Sequence, residues 1–278
     1  MEKKELKDLL IRINDGNSII PENRKAYDLA VLCLEYIGDT DMELRDDLIY
    51  TILSNWITDK KLLDQEVKNL LEVLLDNEHL LKGLGETNDT VFVRTFSVLF
   101  VATIIYRHRN DKSLSGDELK KAFQAVIQFY NEDQDVRGYV EEKGWAHGAA
   151  HGADALDEFA RCDEIGREDL LIIIDAIYKK VNISHYGYTH FEEERMITAV
   201  KAVLGRNILS SSEVEAWIRS FCNFEKKGIY PDDLVKEVNI NAFLKSLYFR
   251  LIDIPEYQTY ASIVKDCLHQ ISRFKNIE

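Results

Sequence analysis

The sequence predicts an all-α protein, and three observations carry the prediction. Apolar residues recur at helical spacing along almost the whole chain, proline and glycine are scarce (3 and 13 among 278 residues), and strand-like alternation is hard to find. A β-sandwich or barrel would need a turn about every ten residues, and this chain lacks the residues to make them. With 46% hydrophobic residues it can bury a core without help from disulfides.

The first stripe is Leu6, Leu9, Leu10 and Ile13, and the second is Leu29, Leu32, Cys33 and Tyr36. Pro21 reads as a first-turn residue opening that second helix, which ends near Gly38. Leu44, Leu48, Ile52 and Trp56 mark a helix that starts after Asp41 and runs to Trp56, followed by helices over 64–75 and 90–106. The stretch 90–106 is apolar nearly all round, as expected of a helix covered on several sides. Ser115 and Glu118 form a capping box for a helix reaching Tyr130. Further helices are expected over 144–159, 168–178, 191–204, 212–224 with a second capping box closed by Glu215, 232–251 and 257–274. About eleven helices with short connections suit a HEAT- or armadillo-like stack of antiparallel helical hairpins, an α-α superhelix with a rhythm of roughly 40 residues. No repeated consensus accompanies it. No Pro/Gly/Ser-rich linker divides the chain, so 1–278 is read as one continuous domain.

Charge and targeting signals narrow the function classes. Lys plus Arg number 35 against 49 Asp plus Glu, a net charge of −14 that disfavours nucleic acid as a partner. The charged residues 1–10 do not read as a secretory signal, which places the expected location in the cytoplasm. The longest apolar stretch, 96–106, is shorter than the ~20 residues of a membrane span, so no membrane partner is expected. Cys33, Cys162, Cys222 and Cys267 stand singly and are read as reduced packing residues. Phosphate-binding glycine loops and a Gly-x-Ser-x-Gly elbow are missing.

The least generic segment is 137–156, RGYVEEKGWAHGAAHGADAL. Spacings of four and three residues return to one helical face, so His147, His151 and Asp154 form a polar stripe. Gly144, Gly148 and Gly152 repeat every four residues among alanines, which predicts a slender helix closely embraced by its neighbours. Two imidazoles and a carboxylate suit zinc, manganese, iron or nickel, although Gly148 stands where a zinc protease needs glutamate. The competing reading is a buried hydrogen-bond network with Arg137, Trp145 and nearby acids. The segment 185–195, HYGYTHFEEER, offers one of Glu192, Glu193 or Glu194 as a further ligand or base, and Glu193 is assigned that place. His185 and His190 are secondary candidates. Arg94 lies within an apolar helix and must be paired, either as a staple to Asp46 or Asp47 or as an anion-binding group in the same cavity as Arg137.

The motifs LRDDLIY, DTVFVRTFSVL, DVRGYVEEKGWAHGAAHGADAL and EEERM, in this order, resemble the prokaryotic domain-of-unknown-function 2785 family over nearly the whole chain. The resemblance implies a helical, HEAT-like, cytoplasmic protein with no assigned activity. It places the family's polar positions on Arg45, Asp46, Arg94, Asp135, Arg137, Trp145, His147, His151, Asp154 and Arg195.

Two functions follow as expectations. The first is a binding or scaffold protein whose pocket, lined by Arg45, Asp46, Arg94, Asp135, Arg137, Trp145 and Arg195, takes a small polar molecule or a peptide. The alternative is a metal-dependent hydrolase in which His147, His151, Asp154 and Glu193 hold the ion and an arginine steadies developing negative charge. Two or more carboxylates facing both histidines would favour the hydrolase.

Overall fold

A computed structural model describes residues 1–273 and is built almost wholly from helices. The first third holds α1 (Lys3–Asp15), α2 (Ala26–Leu34), a π-helix (Glu43–Tyr50) running directly into α3 (Thr51–Thr58), and α4 (Asp64–Leu74). Then come α5 (Thr90–Asp111), α6 (Gly116–Glu132), a hairpin of two short strands β1 (Tyr139–Val140) and β2 (Gly144–Trp145), and α7 (Gly148–Ala160). The chain continues with α8 (Arg167–Val181), α9 (Glu192–Gly205), α10 (Ser211–Ser220), α11 (Asp232–Leu251) and α12 (Gln258–Ile271). The expected last helix ran to Phe274, which lies outside the described residues.

The helices pack in rows. α3, α5, α7, α9 and α11 each touch the next, and α6 and α8 pack together against the backs of α7 and α9. α5 is central and is apolar on every side because α3, α4, α6 and α7 surround it. By length and composition alone it could cross a membrane, but 78% of its most apolar window is buried inside the fold. It runs five residues past the expected end at Tyr106, because Arg107 pairs with Asp111 one turn on and with Asp64 at the start of α4.

α7 is the slender helix that the glycine pattern predicts. A Cβ on Gly152 would lie 2.4 Å from the Tyr130 ring of α6, so only hydrogen fits there. Ala149, Ala150 and Ala153 are buried on the same helix. The burial of this small-residue helix lets α5, α6 and α9 approach its backbone closely.

Several expectations change. α2 begins at Ala26, because Pro21 opens a turn closed by the Arg24 N–H donating to the Pro21 carbonyl. The second capping box is Ser210 with Glu213, whose carboxylate accepts the Ser210 N–H at 2.8 Å. Three consecutive serines allow either register, and burial of Val214, Trp217 and Ile218 selects this one. Cys222 and Cys267 are not reduced but form a disulfide across 45 residues, whereas Cys33 and Cys162 are buried free thiols. Burial pushes both of those thiols up to about 12.

Candidate functional site

The site is assembled from the starts of two helices and the wide turn of the π-helix. Arg45 in that turn is fully buried over the rings of Phe92 and Phe96, at 4.3 and 4.9 Å from their centroids. Its guanidinium donates to the carbonyls of Asp39 and Lys143, and Nε lies 2.7 Å from Asp46 Oδ1. Asp46 Oδ2 in turn accepts the Trp145 N–H. Arg45 and Asp46 therefore clamp the β1–β2 hairpin, which hands the chain to α7. Burial raises the Asp46 pKa against the opposing pull of Arg45.

That hairpin overturns the expectation of a helix beginning at Gly144. Gly144 adopts φ +82° at the start of β2, where a Cβ would meet Met42 and the Arg45 guanidinium. His147 is the residue preceding α7 and takes a left-handed φ of +52°. Its N–H donates to the Arg137 carbonyl, while its own carbonyl accepts from Ala150 and His151.

The two histidines nevertheless meet, with ring centroids 5.5 Å apart. His147 stacks on the Trp145 indole at 4.7 Å. Its Nε2 lies 3.2 Å from the His190 carbonyl and 3.6 Å from Glu192 Oε1. The carbonyl can only accept, so Nε2 carries the proton. His151 is 7% exposed, lies edge-on to Phe96, and leaves Nδ1 without a partner. Burial, followed by the charges of His147 and Arg195, lowers its pKa to about 3, so the ring is neutral at physiological pH. The His147 pKa is lowered as well, again chiefly by burial.

The carboxylate that turns inward is Glu192, not Glu193. Glu192 is fully buried at the start of α9 and accepts the His190 N–H at 2.8 Å through Oε2. Its Oε1 is unpartnered and faces His147 and His190. Glu193 is half-buried, and Glu194 pairs with Arg250. The sequence did carry a signal for this, since Glu192 shares the buried stripe of Met196, Ala199 and Val203.

Asp154 is committed elsewhere. Both of its oxygens engage Arg195, with Oδ1 2.7 Å from Nε and Oδ2 in a short contact with Nη2. The expected metal set of His147, His151, Asp154 and Glu193 is therefore not assembled. Among the described residues, no three His, Cys, Asp or Glu side chains converge closely enough to hold an ion.

The remaining arginines serve the scaffold. Arg94 is fully buried and pairs with Asp133 at 2.9 Å instead of with Asp46 or Asp47. It also donates to the carbonyls of Lys82, Gly83 and Glu86 and to Thr90 Oγ1, tying the 82–90 loop to α5. Arg137 holds Asp135 through Nε and Nη2, at 2.8 and 2.6 Å, and donates to the Asn88 carbonyl. Of the seven expected pocket residues, Arg195 alone lines the groove described next, and Trp145 is exposed on the hairpin.

That groove has a volume of about 380 Å³ and runs between α3, α5, α7 and α9. Tyr50, at the end of the π-helix, and Tyr106 of α5 contribute rings, and Ser54, Thr58 and Thr103 contribute hydroxyls. α7 contributes Asp154, Asp157 and Glu158, and α9 contributes Arg195. Burial raises the pKa of Asp154 and of Glu158, each opposed by its arginine.

A family model described as a protein of unknown function, DUF2785, matches residues 80–249, more than half of the chain. The chain belongs to this family. No curated protein and no solved structure matches it. The DUF2785 match takes in Arg94, the 133–158 segment and Arg195 but stops short of Arg45 and Asp46. The resemblance on sequence extended further, to nearly the whole chain. Within the DUF2785 portion lie both helix starts, the histidine pair and three walls of the groove, while Tyr50, Ser54 and Thr58 come from outside it. Sequence reasoning missed those three residues because they read as an ordinary helical surface, and nothing local marks the π-helix that precedes them.

Proposed function

We propose that this DUF2785 protein is a binding protein whose groove between α3, α5, α7 and α9 receives a small polar molecule. The observation that carries the reading is the Arg195–Asp154 pair. It is held bidentate, its guanidinium is half-exposed, and it sits in a concave site of about 380 Å³, within the range of small-molecule pockets. Arg195 is fixed by two contacts to one carboxylate, and its other N–H groups have no partner among the described residues. We also read the rows of helices as a HEAT-like superhelix that presents this groove on one face.

The geometry does not favour the metal-dependent hydrolase. Asp154 is spent on Arg195, and among the described residues a single inward carboxylate, Glu192, faces the histidines. Thermal denaturation of the intact chain across a library of polar metabolites and short peptides tests the binding reading. At least one compound is expected to raise Tm, and Arg195→Met is expected to abolish that rise. A stabilising compound indifferent to Arg195→Met would overturn the assignment to this groove. A stoichiometric transition metal in protein purified without a His tag would favour the hydrolase.

A further inference from the structure

The geometry points to an uncharged polyhydroxylated ligand, a mono- or disaccharide, as the occupant of this groove, an inference that rests on the binding reading above. Three carboxylates line the groove, and each has its own arginine. Asp154 is held by Arg195, Asp157 by Arg161 at 2.8 Å, and Glu158 by Arg109 in a short contact. The charges cancel pair by pair, so an ionic ligand finds no uncompensated partner. An anion would have to compete with a carboxylate already holding the arginine, and a cation would have to displace an arginine to reach a carboxylate.

What the groove still offers is hydrogen-bonding capacity in fixed geometry. Carboxylates have lone pairs beyond those used by an arginine, and a guanidinium has N–H groups beyond those used by a carboxylate. Such planar, side-by-side acceptors and donors match the adjacent hydroxyls of a sugar, each of which both donates and accepts. The hydroxyls of Thr58 and Thr103 donate to carbonyls of their own helices, leaving their oxygens as acceptors.

The second half of a sugar's chemistry is its C–H face, and the groove has surfaces for that too. Tyr50 comes from one wall and Tyr106, 46% exposed, from another, with Leu99 and Ala102 lining the same groove. Arg109, which also holds Glu158, lies 5.6 Å from the Tyr106 ring centroid and steadies its orientation. A ring with a polar tip suits a ligand that is apolar on one face and wet at its rim. A peptide is a poorer match. Its backbone needs a sheet edge or an apolar groove for a helix, and the walls here are helices whose backbone groups are already paired.

The test uses the full-length chain. Isothermal titration calorimetry is run with maltose, cellobiose, lactose and N,N′-diacetylchitobiose, and with sialyllactose and glucose 6-phosphate as charged counterparts. At least one neutral sugar is expected to bind saturably and more tightly than the charged compounds. Tyr106→Ala and Arg195→Met are each expected to weaken that binding by about tenfold or more with the circular dichroism unchanged. The inference is overturned if no neutral sugar binds, if a charged compound binds more tightly, or if both substitutions leave binding intact. Should every sugar fail while another library compound stabilises the protein through Arg195, the binding reading survives and the saccharide does not. If nothing responds to Arg195→Met, both fall.

Discussion

Two arginine–aspartate pairs, Arg94–Asp133 and Arg195–Asp154, share a chemistry and differ in everything around them. The side chains of the first pair are 0% and 3% exposed, and those of the second 51% and 22%. Arg94 spends both of its Nη groups inside the fold, on three carbonyls, a hydroxyl and Asp133, and its unpartnered Nε is sealed from solvent, while the buried Lys180 donates to the Asp133 carbonyl at 2.9 Å. Burial lowers the Lys180 pKa to about 8 against the pull of Asp133. Among the described residues the Arg195 side chain pairs with Asp154 alone, and it faces an open groove. A charged residue in a helical pattern therefore signals little about function until its donors are accounted for. The arginine with donors to spare is the one placed to meet a ligand.

That contrast can be broken by substitution, and the largest effect belongs to the buried pair. Arg94→Met takes the guanidinium from the buried Asp133 and releases the 82–90 loop, so urea denaturation should show a loss of about 3–5 kcal/mol. A loss under 1 kcal/mol would mean that the pair is not what holds the loop.

Next in size is a pH effect at His151. Below about pH 6.5 the unfolded chain takes up a proton on this ring that the folded chain refuses until about pH 3. Stability contributed by the neutral ring is therefore full above pH 6.5 and falls with acidity by at most ~1.4 kcal/mol per pH unit through that window. At about pH 5 the native protein should have lost about 2 kcal/mol more than His151→Phe, relative to neutral pH. Acids whose pKa burial raises act with the opposite sign, and the difference between the two proteins cancels them. Parallel stability curves for the two would show that His151 titrates normally.

A smaller effect is expected from Gly152→Ala. Its methyl would clash with Tyr130, which costs about 1–3 kcal/mol and is offset in part by the roughly 1 kcal/mol that alanine gains in a helix. A net loss near 1 kcal/mol by thermal melting is expected, and a gain would show that α6 yields easily. The smallest stability change is that of Arg195→Met, about 1 kcal/mol, because the guanidinium is half-exposed and solvent screens its pairing with Asp154. This is the variant in which ligand binding disappears although the fold does not.

How much was legible follows the range of the interactions involved. The stripes of α1, α4, α6 and α11 are local, and burial followed them. The misreading of 144–147 has a local cause. Glycine and alanine at four-residue spacing fit a helix, but the left-handed φ of Glu142 and Gly144 makes a hairpin turn that the pattern does not display. Arg94 was recognisable as needing a partner, but Asp133 lies 39 residues away, and only packing brings it there. The disulfide between Cys222 and Cys267 is hidden for the same reason. Choosing Glu193 over Glu192 was avoidable, because the phase of the α9 stripe distinguishes them.

Trp145 gives the molecule an internal reporter. Trp56 and Trp217 are 1% and 9% exposed, so red-shifted, quencher-accessible emission belongs chiefly to Trp145, which is 38% exposed and lies against an imidazole. Protonating that imidazole, or seating a molecule nearby, would alter the emission of a single fluorophore whose address is already known. The helix starts can thus be watched in solution without attaching a label.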